Sequence, residues 1–299
     1  MTILITGAGG QLGRRTAELV LDRDDRPELI LVTRRPDEIA DLAGRGATVR
    51  FGDFDDPASL PAAFAGAERM LLISTTDVGD KRVAEHRAAI DAALAAGVHH
   101  IAYTSCTNPT AANPAAVVHD HRATEDHLAG SGLEWTFLRH QTYAELQIPD
   151  GGPHRFPDGK TALETGVLRN NQGDGETAYV SREDCAAAAA AVLSGGDEHA
   201  GRAYDITGPE LIGAPRLAEL YARIGGRPVT VEAVTDAEYV EDLVAAGLPE
   251  PVAGLLASFG AAARLGAFAV ISPAVADLTG RAPTTLGAVL EGAPAPAQS

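Results

Sequence analysis

Basic residues are scarce in this sequence, and lysine is the scarcest of them. The 299 residues include 24 Lys and Arg against 41 Asp and Glu, which gives a net charge of −17 with neutral histidine. Lys81 and Lys160 are the two lysines. A negative field of this size repels phosphate backbones and anionic lipid surfaces. We therefore expect neither a nucleic acid nor a membrane surface as the main partner.

Cysteines and long apolar runs are also few. Cys106 and Cys185 are too few for a disulfide framework and lack metal-ligand spacing. The opening MTILITGAGG enters a strand and a glycine turn without the basic region and cleavage site of an export signal. No segment approaches the roughly 18 consecutive apolar residues of a membrane-spanning helix. These absences predict a cytoplasmic protein.

Short apolar runs alternate with amphipathic stretches over the first two thirds of the chain. The predicted strands are residues 2–6, 29–33, 48–51, 70–74, 100–105 and 135–138. The predicted helices between them are residues 12–22, 37–44, 57–65, 81–96 and 119–130. This repeated strand, helix and strand pattern predicts an α/β fold with a Rossmann-type, doubly wound parallel sheet.

The pattern changes after the sixth strand. Residues 148–160 are rich in Pro and Gly and predict a loop, followed by a helix over 181–194 with Ser181 at its N-cap and a returning strand over 203–207. Helical patterns at 216–224, 236–246 and 250–264 surround one β-rich run, 228–234. They predict a smaller C-terminal α/β lobe. Residues 293–299 predict a frayed tail.

A glycine-rich turn follows the first strand and opens the first helix. Its sequence is Gly7-Ala8-Gly9-Gly10-Gln11-Leu12-Gly13, with glycines at every third position from Gly7. Glycines allow a tight turn and a close approach of pyrophosphate to the backbone, and the helix N-terminus offers free N–H groups. The order of strand, turn and helix predicts a dinucleotide site, because a turn that only connects two elements has no need of this spacing.

The end of the second strand indicates which dinucleotide is bound. An acid is expected there for NAD, but this chain has Arg34 and Arg35. Two guanidinium groups favour the 2′-phosphate of NADP(H). The alternative is that both arginines are solvated loop residues.

Other strand ends carry candidate ligand contacts. Asp53 follows the third strand and is placed to meet the adenine amine, while Phe54 packs against the ring or against the core. Hydroxyl side chains at the ends of the fourth and fifth strands are Ser74, Thr75, Thr76, Thr104 and Ser105. These hydroxyls either contact ribose, nicotinamide or substrate, or cap turns.

The sequence resembles the NmrA-like atypical short-chain dehydrogenases/reductases, in particular the branch of NADPH:quinone oxidoreductases and triphenylmethane reductases. The motifs that carry the resemblance run from ITGAGGQLG at 5–13 through LVTRRP, GDFDD, LLISTTDVG, EHRAAIDAALAAGVHHIAYTS, HDHRATEDHL, WTFLR and SREDCAAAAAAVL to TGRAPTTL at 279–286. The resemblance implies NADPH along the first three strands and a small, planar, electron-poor substrate between two lobes. We expect an NADP-binding core of residues 1–145 and 179–208, and a substrate-side lobe of residues 146–178 and 209–292.

The Tyr-x-x-x-Lys pair of conventional short-chain dehydrogenases is absent from the sequence, since no tyrosine is followed by a lysine four residues later. An aliphatic alkoxide needs such a strong proton relay. The reduced oxyanion of a quinone is delocalised, so positioning and one hydrogen bond are enough. The missing pair therefore favours a quinone or a related conjugated carbonyl over a simple alcohol or ketone.

The candidate catalytic residues are His140, Tyr143, His121 and Ser105. Arg139, His140 and Tyr143 match a family R-N-x-x-Y pattern in which His140 replaces the usual Asn, so the family's substrate does not transfer directly. The alternative for His121, His140 and Tyr143 is a structural role with neighbours satisfying each side chain. His119, His121 and His127 do not share one helical face, and we expect no metal site.

Two functions remain open from the sequence. The favoured function is an NADPH-dependent reductase that transfers hydride to a quinone or a similar conjugated or aromatic carbonyl acceptor. The alternative is a non-catalytic, NADP(H)-sensing regulator of the NmrA type, which needs no substrate-sized cavity beside the nicotinamide. Both a monomer and a homodimer agree with the sequence.

Overall fold

The computed structural model describes residues 1–149 and 156–292, which contain two parallel sheets. The strands are β1 (Thr2–Ile5), β2 (Glu28–Thr33), β3 (Thr48–Phe51), β4 (Arg69–Leu72), β5 (His100–Cys106), β6 (Glu134–His140), β7 (Val167–Asn170), β8 (Arg202–Ile206) and β9 (Thr230–Ala233). The larger sheet has the order β3-β2-β1-β4-β5-β6-β8, and all its neighbouring strands are parallel. The predicted doubly wound Rossmann-type sheet is therefore confirmed.

Helices cover both faces of this sheet. The helices are α1 (Gln11–Leu21), α2 (Ala40–Gly44), α3 (Leu60–Phe64), α4 (Asp80–Ala95), α5 (Val118–Gly130), α6 (Asp158–Thr165), α7 (Arg182–Ser194), α8 (Ala214–Gly225), α9 (Asp236–Ala245), α10 (Glu250–Arg264), α11 (Ala274–Thr279) and α12 (Leu286–Leu290). Apolar residues of α1 and α7 pack on one face of the sheet, and those of α3, α4 and α5 pack on the other. Burial on both faces explains why central strands such as β4 are almost wholly apolar.

A second, smaller layer forms around the paired strands β7 and β9. Helices α6 and α8 pack beside these strands, and their apolar residues share one cluster with Leu168, Tyr179 and Tyr221. Helices α9 and α10 pack on each other through a further apolar cluster. This part of the chain supplies the α/β elements that the sequence predicts beyond the main sheet.

The sequence predictions agree with these elements to within a few residues, with some corrections. The loop predicted over 148–160 is wrong at its end, because α6 already begins at Asp158. Residues 150–155 of that loop and the predicted tail, 293–299, lie outside the described residues. The sequence reading missed β7, α11 and α12, which have only four to six residues and show little periodicity.

The 279–286 motif docks on the N-terminus of α7. The Arg281 guanidinium donates to the buried Asp184 carboxylate, and the Thr284 N–H donates to the same carboxylate at 2.7 Å. The Ser181 hydroxyl accepts from the Asp184 N–H at 3.0 Å, which confirms the predicted N-cap. The 279–286 motif thus holds the N-terminus of α7, a helix that packs on the main sheet.

Among the described residues, no helix combines the length and the apolar character needed to cross a membrane.

Candidate functional site

The strand order creates a cleft at one edge of the main sheet. Strand β1 lies between β2 and β4, so the strand order reverses at β1. Strands β2 and β3 continue the sheet on one side of β1, and the later strands continue it on the other side. Ligands of such sheets bind outside the carboxyl ends of the strands at this point. The cleft there has a volume of about 470 Å³ and is bordered by the segments that follow β1, β2, β3 and β4.

Two positions of the glycine turn after β1, Gly7 and Gly13, require a residue without a side chain. Gly7 has φ +60°, and a Cβ built on Gly13 would lie 2.4 Å from the Gly7 carbonyl oxygen. Helix α1 begins at Gln11, and no side chain of the described residues caps its N-terminus. The first N–H groups of α1 and its positive dipole end are therefore available to an anion. This cradle fits the pyrophosphate of a dinucleotide.

Most of the predicted cofactor residues line the cleft. These are Gly7, Gly10, Arg34, Arg35, Asp53, Phe54, Ser74, Thr75 and Thr76. The side chain of Leu12 is buried in the core and does not line the cleft, so Gln11, Leu12 and Gly13 are placed to contribute backbone N–H groups of the first helical turn. Thr104 holds Ser74 instead of lining the cleft, because its hydroxyl accepts from the Ser74 N–H at 2.9 Å.

The two arginines after β2 have different surroundings. Both are exposed, but Arg35 forms an ion pair with Glu38 at 2.9 Å. Within the described ranges, Arg34 has no ion pair of this kind. The Arg34 guanidinium borders the cleft, and its charge acts on Asp55 without forming an ion-pair contact among the described residues, so it is the better placed of the two to meet a phosphate group.

Part of the cleft lining is acidic, which the sequence-based prediction missed. Asp55, Asp77 and Glu85 line the cleft, and the Lys81 ammonium lies 3.0, 3.2 and 3.5 Å from their carboxylates. Glu85 is buried, and this burial raises the pKa of its carboxyl. The sequence feature that could have indicated these carboxylates is Glu85, a charged residue on the buried side of α4. The cleft thus contains two arginines and a group of carboxylates around Lys81, and the Arg34 charge helps to lower the pKa of Asp55.

A buried polar network under the cleft holds the segment after β4. The Thr75 N–H donates to His86 Nε2 at 3.1 Å, and the Gly79 N–H donates to the Asp120 carboxylate at 2.6 Å. Because Nε2 accepts, Nδ1 carries the proton of neutral His86 and donates to the Thr124 hydroxyl at 2.9 Å. Burial lowers the pKa of His86 to about 3, which keeps the imidazole neutral.

His121 belongs to the same network. Its Nδ1 lies 2.8 Å from the Tyr103 hydroxyl, and the Arg82 guanidinium lies 3.5 Å from its Nε2. Burial holds the pKa of His121 well below its usual value. The structure therefore places this predicted catalytic residue among interior partners, where it supports the segment that borders the cleft.

His140 and Tyr143 contact each other at the end of β6. His140 Nδ1 lies 3.1 Å from the Tyr143 hydroxyl, and the Arg182 guanidinium stacks 4.6 Å from the centre of the Tyr143 ring. Burial lowers the pKa of His140 to about 3 and raises the pKa of Tyr143. His140 Nε2 is buried and has no hydrogen-bond partner among the residues that the structure describes. The imidazole is therefore neutral and has one buried polar atom that the described residues leave without a partner.

Ser105 also has an unmet polar atom, but it lies on the other face of the sheet. Its Oγ is buried without a described partner. Ser105 pairs with Arg139 across the strands, and the next pair is Cys106 with His140. Since side chains alternate along a strand, Ser105 and His140 point to opposite faces. The four predicted catalytic residues therefore form one contacting pair, His140 and Tyr143, with Ser105 and His121 apart from it.

This chain resembles known NAD(P)H-binding proteins in sequence and in fold. Residues 7–195 match the family model described as NAD(P)H-binding. Quinone oxidoreductase 2 of Escherichia coli is 36% identical over 284 residues, covering 95% of this chain and 96% of that protein. The crystal structure of an NADPH-dependent quinone oxidoreductase from Escherichia coli with NADPH superposes with a TM-score of 0.89 at 35% identity, covering 97% of this chain and 99% of the other. The triphenylmethane reductase of Citrobacter sp. with NADP(H) gives a TM-score of 0.85 at 29% identity, covering 98% and 100% of the two chains.

The matched family region contains the glycine turn, both arginines and strands β2 to β6. It therefore includes every described residue that lines the cleft. The chain belongs to the NAD(P)H-binding family, in its NmrA-like branch of NAD(P)H-dependent oxidoreductases.

Proposed function

We propose that this protein is an NADPH-dependent reductase that transfers hydride to a quinone or to a similar conjugated carbonyl compound. The observation that carries the proposal is the cleft at the β1 and β4 ends, which combines a glycine turn suited to pyrophosphate with the Arg34 guanidinium after β2. The names of the relatives, a quinone oxidoreductase and a structure with bound NADPH, support the same assignment.

Arg34 selects NADPH over NADH in this proposal. Its guanidinium borders the cleft, and a phosphate on the adenine ribose would meet it as a charge-assisted pair. Arg35 contributes less, because Glu38 already neutralises it. The carboxylates around Lys81 repel phosphates from their part of the cleft.

His140 and Tyr143 serve the acceptor. When bound, NADPH supplies a hydride from its nicotinamide ring. If the Tyr143 hydroxyl donates to Nδ1, the proton of neutral His140 is on Nε2, where it donates to an acceptor oxygen. Since the low pKa of His140 leaves it neutral, it acts as a hydrogen-bond donor and not as an imidazolium acid. A quinone suits this device, because its reduced oxyanion needs stabilisation more than immediate protonation.

The acceptor enters between the core and the segments 146–178 and 209–292 in this proposal. Tyr143 and Val180 form a bridge between two chain segments at this boundary. The Gln141 side chain also donates to the Phe268 carbonyl at 3.0 Å, which ties the end of β6 to the C-terminal part of the chain. An acceptor bound near His140 would therefore contact both parts of the molecule.

The test is NADPH oxidation by the purified protein with benzoquinones, naphthoquinones and simple ketones, with NADH in parallel. We expect turnover with quinones, a preference for NADPH, and a KM for NADPH about 10-fold higher in Arg34→Ala, which corresponds to about 1.4 kcal/mol. Arg216→Ala is the matched control, because Arg216 is exposed on α8 and pairs with Glu219. Tight NADPH binding without turnover of any acceptor would instead support the regulator and overturn the reductase.

A further inference from the structure

A small polar cavity lies beside the chain segment that follows His140. Its volume is about 40 Å³, which is room for roughly three atoms of the size of a water oxygen. Thr142 and Gln147 line it together with residues of α6, α9 and α10. The proposed function does not use this cavity, yet Thr142 follows the proposed hydrogen-bond donor, His140, by two residues.

Asp158 is the one charged residue among the described residues that line the cavity. The Tyr239 hydroxyl lies 2.8 and 2.7 Å from its two carboxylate oxygens and donates to them. Burial raises the pKa of Asp158 to about 6, against the effect of this hydrogen bond. Asp242, which Arg169 holds at 2.6 Å, is the nearby carboxylate that also raises it. Near neutral pH the cavity therefore contains a carboxylate that has no ion pair among the described residues.

The amide groups around Asp158 are occupied by other partners. The Asn171 side chain donates to the Asp236 carboxylate at 2.7 Å and to the Ala257 carbonyl at 2.8 Å. The Gln147 side chain donates to the Tyr179 hydroxyl at 3.2 Å. Asp158 is consequently left with lone pairs that these neighbours do not satisfy, which is costly for a partly buried charge.

Aromatic rings form the remaining wall. The Phe156 and Phe259 ring centroids are 6.4 Å apart, and those of Phe259 and Phe268 are 5.8 Å apart. Tyr179 and Tyr239 also line the cavity. A carboxylate surrounded by aromatic rings favours a cation, because ring faces attract positive charge and the carboxylate neutralises it.

We propose that Asp158 binds a protonated amine carried by the acceptor, so that the substrate class is a quinone or conjugated carbonyl with an amine side chain. This inference rests on the proposed function and names the substrate of the same site. The amine nitrogen with two methyl groups matches the volume of about 40 Å³. A metal ion fits less well, since it requires several oxygen ligands, and Asp158 is the only carboxylate among the described lining residues.

The experiment compares two isosteric probes, 6-(3-dimethylaminopropyl)-1,4-naphthoquinone and 6-(4-methylpentyl)-1,4-naphthoquinone. Calorimetric titration of the full chain loaded with NADP⁺ measures binding without turnover, and NADPH oxidation measures kcat and KM separately. The wild type is expected to bind the amine about 10-fold more tightly than the alkyl probe. Asp158→Asn removes this preference. Glu164→Gln retains it, because Glu164 is an exposed carboxylate on the same helix, 3.9 Å from Lys160.

A pH series and a second variant separate recognition from folding defects. The amine stays protonated up to pH 8, so its preference should grow between pH 5 and pH 8 as Asp158 ionises. Tyr239→Phe removes the hydrogen bond that lowers the Asp158 pKa and should move this rise to higher pH. Equal binding of both probes by the wild type would overturn the inference, and so would a preference that survives in Asp158→Asn. Turnover of the alkyl probe without an amine preference overturns this inference and leaves the reductase standing. Absence of all turnover refutes the reductase and the amine as part of its substrate, while calorimetry still reports whether Asp158 binds an amine.

Discussion

Replacing Gly13 with alanine tests whether the glycine turn is a steric requirement of the cofactor cradle. A Cβ at this position would lie 2.4 Å from the Gly7 carbonyl oxygen, 2.9 Å from the Gly7 carbonyl carbon and 3.0 Å from the Ala8 Cα. All three neighbours are backbone atoms, so no side-chain rotation relieves the contacts. Ordinary contact begins near 3.4 Å, and α1 must therefore move by about 1 Å away from the turn.

The expected cost follows from two opposing effects. Overpacking of this kind costs about 1–3 kcal/mol, and a backbone clash belongs at the upper end of that range. Alanine regains about 1 kcal/mol of helix propensity over glycine. We therefore expect Gly13→Ala to lower the free energy of unfolding by about 2 kcal/mol. A helix N-terminus displaced from the pyrophosphate should weaken NADPH binding at least about 10-fold.

Two measurements check this prediction. Urea unfolding followed by the fluorescence of the single tryptophan, Trp135, gives the stability, and titration of NADPH fluorescence gives the dissociation constant. The matched control is Gly254→Ala in α10, where a Cβ meets no atom within 4 Å. The control should gain about 0.5–1 kcal/mol and bind NADPH normally. A Gly13→Ala variant with unchanged stability and NADPH affinity would refute the steric reasoning.

The remaining predictions concern the buried charges and histidines. Arg281→Ala leaves the buried Asp184 carboxylate without its cation and should cost about 3–5 kcal/mol in urea unfolding, while Arg216→Ala should stay within about 0.5 kcal/mol; equal effects would contradict a structural ion pair. His86 and His140 have pKa values of about 3 in the folded state, below the unfolded value, so their stabilisation is complete above about pH 6.5 and is lost as the pH falls towards 3. Each of the two histidines should lower the free energy of unfolding by about 2 kcal/mol as the pH falls from 7 to 5. A Tm that is flat over this range would argue against buried neutral imidazoles. His140→Phe should lower kcat/KM for a quinone about 10–100-fold with an unchanged Kd for NADPH, and full activity would exclude Nε2 as the hydrogen-bond donor.

The elements that carry the cofactor cleft were predictable from the sequence because their signals are local. The spacing of Gly7, Gly10 and Gly13 predicts a tight loop followed by the start of a helix, and both features lie within seven residues. Apolar runs predict buried parallel strands without reference to distant residues. The sequence also predicts Arg34 as a cofactor contact from its position after β2, but its difference from Arg35 depends on Glu38 adopting a particular orientation.

The roles of the polar residues near the strand ends could not be predicted from local sequence patterns. His121 and His140 looked equivalent as candidates, since both are histidines near the ends of predicted elements. Their roles diverge because His121 meets Tyr103 and Arg82 in the interior, whereas His140 Nε2 meets no described partner. A histidine's partners come from other strands and helices, so its spacing along the chain does not reveal them.

The sequence by itself determined the doubly wound sheet, the dinucleotide cradle and the absence of a Tyr-x-x-x-Lys pair. Each of these features depends on a pattern of residues that lie close together along the chain. Tertiary structure alone decided the rest. Strand β7 exists through its pairing with β9, about sixty residues later, and the cavity around Asp158 forms only when α6, α9 and α10 converge on it. Burial then sets the charge of each titratable group, since desolvation depends on every element that surrounds the group and not on its neighbours in sequence.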